Sequence, residues 1–231
     1  MTSDNFDNLS TEIPTRLALL SEKSTESIRA VRREFSKRLA KAPADFVFQS
    51  SLLLLRNEKA VPRFLVYELV QHHREALRSL NSRKLTMLGK GIDSWAAVDT
   101  FACYLSGPVW REHQVSDSLI ARWARSRDRW WRRAAVVSTV PLNNKTRGGH
   151  GDATRTLAIC TLVVHDRDDM VVKALSWALR ELAKRDSRAV EEFLKKNRKA
   201  LAPRVVREVV NKLTTGLKNP KKFQCKPGIQ V

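Results

Sequence analysis

The sequence predicts an all-α fold, an α-solenoid built from HEAT-like antiparallel helix pairs. Apolar residues recur at helical spacing through most of the chain, and no segment shows the strict alternation of a strand. Only 8 Gly and 8 Pro occur in 231 residues, which favours long helical segments. Predicted helices pair across short turns at a spacing of roughly 35 to 40 residues, which is typical of helical-hairpin solenoids.

The N-terminal half is predicted to contain six helices after a disordered lead at 1–10. Ser24 is a candidate N-cap, and the stripe Ile28, Val31, Phe35 and Leu39 follows it. Pro43 and Pro62 each stand where a helix begins. The predicted helices start near Pro14, Ser24, Pro43, Pro62, Leu80 and Trp95, and the last of them is expected to end at Gly107-Pro108.

The C-terminal half is predicted to contain six further helices and one conspicuous loop. The helices are expected at 109–125, 128–140, 153–164, 168–184, 189–198 and 205–217, and Pro141 is expected to stop the second. The loop at 143–151 is polar, basic and glycine-rich. We therefore expect one folded domain over 11–217 and a basic, flexible tail over 218–231.

The charge of the chain indicates its kind of partner. Its 43 Lys and Arg against 24 Asp and Glu give a formal net charge of +19, which favours a polyanion such as nucleic acid. No apolar run reaches the ~18 residues of a membrane span. The three cysteines, Cys103, Cys160 and Cys225, show no motif spacing, so we expect a reducing, cytoplasmic compartment.

Two groups of basic side chains have a spacing or a position that suits contact with the phosphates of a nucleic acid. Arg29, Arg33 and Lys37 recur at i, i+4 and i+8, which suits a phosphate row and suits a solvated helix face equally. Lys145 and Arg147 lie in the glycine-rich loop, and no strand precedes it as a phosphate cradle would require. We read it as an interhelix loop that touches the backbone of a nucleic acid.

Two helices combine tryptophan with charge. Trp95 and Asp99 are i, i+4 neighbours on the flank of an apolar stripe, so a ring and a carboxylate point into one space, and both suit a cation. Trp177 lies opposite the stripe of its own helix, and a tryptophan there indicates a binding surface or an accidental exposure. Its helical neighbours are Lys173, Arg180 and Lys184.

Arg133 leaves its helix on a largely apolar side. Its neighbours at i−3, i+3 and i+4 are Trp130, Val136 and Val137. A guanidinium there needs an anionic partner, for which Asp99 and an external phosphate are candidates, unless the side chain snorkels past the core.

These segments resemble a known family. The runs Ser94-Trp95-Ala96-Ala97-Val98-Asp99, Trp130-Trp131-Arg132-Arg133-Ala134-Ala135 and Lys173-Ala174-Leu175-Ser176-Trp177 are similar, in order and spacing, to bacterial DNA-alkylation-repair glycosylases of the AlkD type. The resemblance runs from about Ile28 to Leu217, and the segment before Ile28 is hard to match.

The resemblance implies a concave DNA-binding groove and excision of cationic N3- or N7-alkylated purines from duplex DNA, without flipping of the base. It implies that Asp99, Trp95 and Trp177 face the lesion's deoxyribose and that Arg133 lies nearby. Neither a cofactor nor a metal is implied, and we expect a monomer that associates with the nucleoid.

Two other functions remain open from the sequence. A HEAT-like protein could bind DNA through the same groove without catalysis, and some relatives in this superfamily lack detectable excision. A protein-interaction scaffold would also explain the fold. Asp99 favours the enzyme, because a surface that only binds phosphates gains nothing from an anion.

Overall fold

The structure is a computed structural model, and it describes residues 8–220. Within that range every regular element is helical. The α-helices are α1 Leu9–Ala18, α2 Thr25–Leu39, α3 Ala44–Leu55, α4 Arg63–Gln71, α5 Arg74–Arg78, α6 Ser82–Gly89, α7 Trp95–Phe101, α8 Gly107–Arg111, α9 Asp117–Ala124, α10 Arg129–Val137, α11 Val140–Asn143, α12 Ala153–Leu162, α13 Asp169–Leu182, α14 Ser187–Asn197 and α15 Pro203–Thr215. A π-helical segment, Ala102–Ser106, joins α7 to α8, and a 3₁₀ turn, Lys145–Arg147, follows α11.

The helices form two layers. In the inner layer α2, α4, α7, α10, α13 and α15 each pack against the next, and they begin at residues 25, 63, 95, 129, 169 and 203. The outer layer consists chiefly of α1, α3, α6, α9 and α12, with α14 packed behind α13. This regular succession confirms the predicted all-α solenoid, and its period matches the spacing predicted from the sequence.

Polar contacts join neighbouring helices of the inner layer. Glu68 on α4 is buried and accepts hydrogen bonds from Arg29 and Arg32 on α2. Glu208 on α15 is also buried and accepts one from the Ser176 hydroxyl on α13, at 2.6 Å. Because buried charges need such partners, these contacts fix how successive helices align.

The first helix begins earlier than predicted. We expected a disordered lead to residue 10 and a helix from Pro14, but α1 starts at Leu9 and carries Pro14 inside it. Leu9, Ile13 and Leu17 are buried at i, i+4 and i+8, and this burial outweighs the hydrogen bond that the proline cannot donate. Residues 1–7 of the expected lead lie outside the described residues.

We predicted that the Trp95 helix ends at Gly107-Pro108, and this prediction is wrong. The N–H of Gly107 donates to the Ala102 carbonyl, which makes a wider π turn, and the helical path continues through Pro108 to Arg111. The predicted helix at 109–125 is interrupted instead after Arg111, where His113 has a φ of 57°. Pro141 also lies in the first turn of a short helix, α11, rather than stopping one.

Two further predictions concern membranes and the C-terminus. Every helix within residues 8–220 is too short or too polar to cross a lipid bilayer. The last helix ends at Thr215, where Gly216 adopts a φ of 74°. Of the predicted tail at 218–231, residues 221–231, and with them Cys225, lie outside the described residues.

Gly107 is required for close packing, and its replacement tests this. A Cβ at Gly107 would lie 2.6 Å from Cγ of Pro141 and 2.8 Å from the Ser138 carbonyl oxygen. We expect Gly107→Ala to lower the free energy of unfolding by ~1–3 kcal/mol, measured by urea denaturation. The control is Gly216→Ala, which meets nothing within 4 Å and should cost only ~1 kcal/mol through its left-handed backbone. Wild-type stability of Gly107→Ala would contradict this role.

Candidate active site

A cleft opens between α7 with its π-helical extension, α13 and the loop after α11. Its volume is about 170 Å³. The side chains that line it are those of Trp95, Ala96, Asp99, Thr100, Cys103, Tyr104, Arg147 and Trp177. The two tryptophans and the carboxylate singled out in the sequence therefore share one surface, which we call the Asp99 cleft.

The sequence of α7 sets the direction of Trp95 and Asp99. The Ser94 side chain caps the helix by accepting from the Ala97 N–H. Val98 and Phe101 are fully buried, which fixes the rotation of the helix about its axis. Trp95 and Asp99 consequently lie one turn apart on the cleft side of α7, with Trp95 59% exposed and Asp99 largely buried.

Arg133 on α10 lies behind Asp99 and holds it. Its Nε and Nη2 donate to Asp99 Oδ1 and Oδ2 at 2.9 and 2.8 Å, a bidentate ion pair. Its Nη1 donates to the Met170 carbonyl in the first turn of α13, at 2.5 Å. Of the partners considered for Arg133, Asp99 is therefore the one observed. The arginine itself is buried, lies behind Asp99, and is not among the side chains that line the cleft.

Burial changes the acidity of Asp99. Removal of the carboxylate from water raises its pKa above the usual aspartate value, and the hydrogen bonds and charge of Arg133 oppose that rise without cancelling it. Asp99 therefore becomes protonated at a higher pH than an exposed aspartate.

Trp177 closes the cleft from α13. It is half-buried and packs against the hydrophobic core, so it is less exposed than its position among cations suggested. Lys173 and Lys184 form ion pairs with Asp169 and Glu181 on the same helix. Both lysines are about half exposed, and such pairs are weak, so these cations remain available to an anionic ligand.

Arg180, the third cation beside Trp177, is partly buried. Its Nε donates to the Ser176 hydroxyl at 3.2 Å, and burial lowers the pKa of its guanidinium. Ser176 donates in turn to Glu208, so Arg180 is held above the junction of α13 and α15. It therefore lies on the inner layer in a fixed position.

The loop after α11 presents Arg147 to the cleft. The guanidinium of Arg147 stacks on the Tyr104 ring, 5.3 Å from its centroid. Arg111 Nη1 donates to the Arg147 carbonyl, and Arg185 holds the carbonyls of Asn143 and Gly149. Arg147 is thus carried by an anchored loop, whereas Lys145 beside it is exposed.

The basic row on α2 divides into two kinds of residue. Arg29 donates to Glu68 at 2.8 Å and to the Tyr104 hydroxyl at 3.4 Å, so it reaches toward the edge of the Asp99 cleft. Arg33 and Lys37 are exposed. For those two, a phosphate row and a solvated face both remain compatible with the structure.

Sequence reasoning missed Tyr104 and gave no role to Cys103. In an unbroken α-helix Tyr104 would lie ~140° around from Asp99, and the π turn, which no sequence signal indicated, widens the helix at that point. Cys103 is buried, and burial raises its thiol pKa to about 12, so it is no nucleophile at neutral pH. Within residues 8–220 no three His, Cys, Asp or Glu side chains are grouped to hold a metal.

Comparison with known proteins agrees with these features. No curated protein matches the chain. The model of one family, described as DNA alkylation repair enzyme, matches residues 24–213, which include α2 to α14 and most of α15. The chain therefore belongs to the DNA alkylation repair enzyme family.

Proposed function

We propose that this protein is a DNA glycosylase that hydrolyses the N-glycosidic bond of cationic N3- or N7-alkylated purines in duplex DNA. The observation that carries the proposal is the placement of one carboxylate, Asp99, in the same cleft as Trp95 and Trp177 on a strongly basic protein. Family membership implies a role in alkylation repair and DNA as the partner.

The chemistry suits a single carboxylate. Glycoside hydrolysis usually needs a second carboxylic acid to protonate the leaving group. An alkylated purine already carries a positive charge, so the bonding electrons neutralise the departing base and no acid is needed. The sugar becomes oxocarbenium-like, water adds to C1′, and the proton of that water is released. Asp99 stabilises the sugar cation by its charge and accepts a hydrogen bond from the attacking water.

Arg133 orients Asp99 but does not use all of its hydrogen-bond acceptor sites. A carboxylate has about four acceptor sites, and the bidentate pair uses two. Two acceptor sites therefore remain for a ligand in the cleft, which Asp99 lines. Arg133 is therefore a positioning residue, which keeps Asp99 ionised and directed at the cleft.

The dimensions of the cleft favour excision without base flipping. Glycosylases that flip the base enclose it in a pocket, and small-molecule pockets usually exceed ~300 Å³. The Asp99 cleft has about 170 Å³. It suits a backbone deoxyribose pressed against Trp95 and Trp177, whose rings add cation–π stabilisation of ~0.5–2 kcal/mol each.

The surrounding cations are assigned to the phosphates. Arg147 lines the cleft and Lys145 lies in the same loop, and Lys173, Arg180 and Lys184 lie on α13 or just beyond its end. We assign Arg29, Arg33 and Lys37 on α2 to the same role, with Arg29 nearest the cleft through its hydrogen bond to Tyr104. Phosphate contacts of this kind position a duplex without reading its sequence.

A non-catalytic DNA-binding function is the second candidate. It is favoured by one observation, namely that Arg133 already occupies both oxygens of Asp99. In that case Asp99 would serve only to hold α7 against α10.

Replacement of Asp99 by Asn separates the two candidates. Asp99→Asn keeps the shape and removes the charge that faces the sugar, so single-turnover excision of 7-methylguanine should fall by ~10²–10³. Duplex binding, measured in parallel, should stay the same or tighten. Hypoxanthine, a neutral leaving group, should be a poor substrate of the wild type.

The matched control is Asp45→Asn, because Asp45 is an exposed, ion-paired aspartate on α3 in the outer layer. It should excise at the wild-type rate. If Asp99→Asn also does so, Asp99 is not catalytic. If the wild type binds duplex tightly but releases no 7-methylguanine, the non-catalytic function is correct.

The pH dependence of excision should report the raised pKa of Asp99. Activity requires the carboxylate, so the rate should fall as the pH drops through a midpoint above that of an ordinary aspartate. Arg133→Gln removes the group that lowers this pKa and should move the acid limb to higher pH, whereas Arg133→Lys should move it less. The measurement is single-turnover excision from pH 4 to 7, corrected for uncatalysed depurination. An acid limb unchanged in Arg133→Gln would contradict the assignment.

Arg147 should contribute one phosphate contact. The logarithm of the affinity for duplex should fall with the logarithm of salt concentration, and Arg147→Ala should reduce the slope by ~0.9. Arg188→Ala is the control, because Arg188 is 89% exposed on α14. Equal slopes for wild type and Arg147→Ala would place Arg147 outside the interface.

A further inference from the structure

A cavity much larger than the Asp99 cleft lies away from it. It is an open groove of about 1210 Å³ between α6 and α9 in the outer layer, and Trp131 on α10 forms part of its lining. Trp131 and Arg133 are two positions apart, so their side chains leave α10 ~200° apart. The α6–α9 groove and the Asp99 cleft therefore lie on opposite sides of the inner layer.

The groove is a gap in the outer layer. α3 packs against α6, and α9 packs against α12, but α6 and α9 make few contacts with each other within residues 8–220. Trp131 and Trp123 form the floor of the gap. Both α6 and α9 have eight residues, about 12 Å of helix, so the gap has the length of a short helix.

An apolar floor lies between two basic rims. Met87 is 41% exposed and lies beside Trp131, and methionine is frequent on surfaces that bind varied apolar side chains. Arg83 and Lys90 line the α6 side, two helical turns apart, and Arg122 and Arg125 line the α9 side, one turn apart.

Within residues 8–220 the charge of the rims is not neutralised. No carboxylate lines the groove, and in the described part of the chain none of these four cations forms an ion pair. The partner that fits must therefore combine an apolar stripe with carboxylates on both flanks.

The floor suits a peptide better than a nucleic acid. Single strands bind by stacking bases on open aromatic faces. The Trp131 ring already contacts Trp123, with centroids 4.7 Å apart, and meets Phe101 edge-on. Its Cη2 would lie 2.6 Å from a Cβ placed on Gly89, so the backbone covers it there as well.

We infer that the α6–α9 groove binds a short, acidic, amphipathic helix of a partner protein, which inserts as an additional outer-layer helix. Its apolar residues would cover Met87 and the edge of Trp131, and its carboxylates would pair with the two basic rims. This inference is independent of excision at the Asp99 cleft.

The test uses the full chain and three fluorescent probes in about 0.15 M salt, where exposed charges are screened beyond ~8 Å. The probes are a 16-residue amphipathic peptide with a leucine stripe flanked by glutamates, the same peptide with lysines for glutamates, and a 16-nucleotide single-stranded DNA. Binding is followed by anisotropy. We expect the glutamate peptide to bind, the lysine peptide not to bind, and an excess of the DNA not to displace the glutamate peptide.

Variants then locate the site. We expect Met87→Glu to lower the affinity for the glutamate peptide at least tenfold. The double variant Arg122→Glu with Arg125→Glu should lower it by at least the same factor. Arg188→Glu, a charge reversal at another exposed arginine, on α14, should leave the affinity for the glutamate peptide unchanged. All the altered residues are exposed, and thermal unfolding checks that each variant folds.

Three results would overturn the inference. The first is that the glutamate peptide does not bind, and the second is that the groove variants bind it as tightly as the wild type does. The third is that the single-stranded DNA displaces the peptide, which would assign the groove to nucleic acid. Duplex affinity and 7-methylguanine excision, measured on the same variants, should stay at wild-type values. A failed peptide assay is thereby distinguishable from a failed glycosylase assignment.

Discussion

The candidate site depends on the contacts that the buried guanidinium of Arg133 makes. It binds both oxygens of Asp99 on α7 and the Met170 carbonyl on α13, so one side chain of α10 fixes three successive helices of the inner layer. Burial of an ion pair contributes little net stability, because desolvation offsets the attraction. Its value here is geometric, since it fixes where Asp99 stands relative to Trp177.

Two other buried carboxylates join neighbouring helices of the solenoid, but neither lines a cleft. Glu68 is held by Arg29 and Arg32, and Glu208 by Ser176 and Arg204. Both glutamates are almost fully buried, so their charge serves the junction between helices. Asp99 alone among these three carboxylates lines a cleft and has tryptophans beside it. A carboxylate that joins two helices of the inner layer is thus also a candidate catalytic group, because at Asp99 the packing leaves one side of the carboxylate open to a cleft.

The sequence predicted what depends on periodicity and composition. The helical class, the repeat spacing and the pairing of Trp95 with Asp99 follow from apolar stripes and wheel positions, which tertiary packing preserved. The grouping of Trp177 with that pair came from the family resemblance. The π turn at Ala102–Ser106 was not predictable, because Gly107-Pro108 signals a helix end locally and only packing against Pro141 and Ser138 reverses it. Tyr104 was missed for the same reason. The α6–α9 groove was also missed, because a gap between two outer helices leaves no pattern in either one.

The helix α10 links the two surfaces of the molecule. Its Arg133 side holds Asp99, and its Trp131 side packs on Phe101, which is the buried back of the Asp99 helix. Both surfaces are therefore built on one rigid junction of α7 with α10, through contacts of different kinds. On the cleft side the contact is charged and directional, which suits a group that must be held in place. On the groove side the contact is aromatic, and the four rim cations form no ion pair within residues 8–220, which suits the acidic partner inferred for that side.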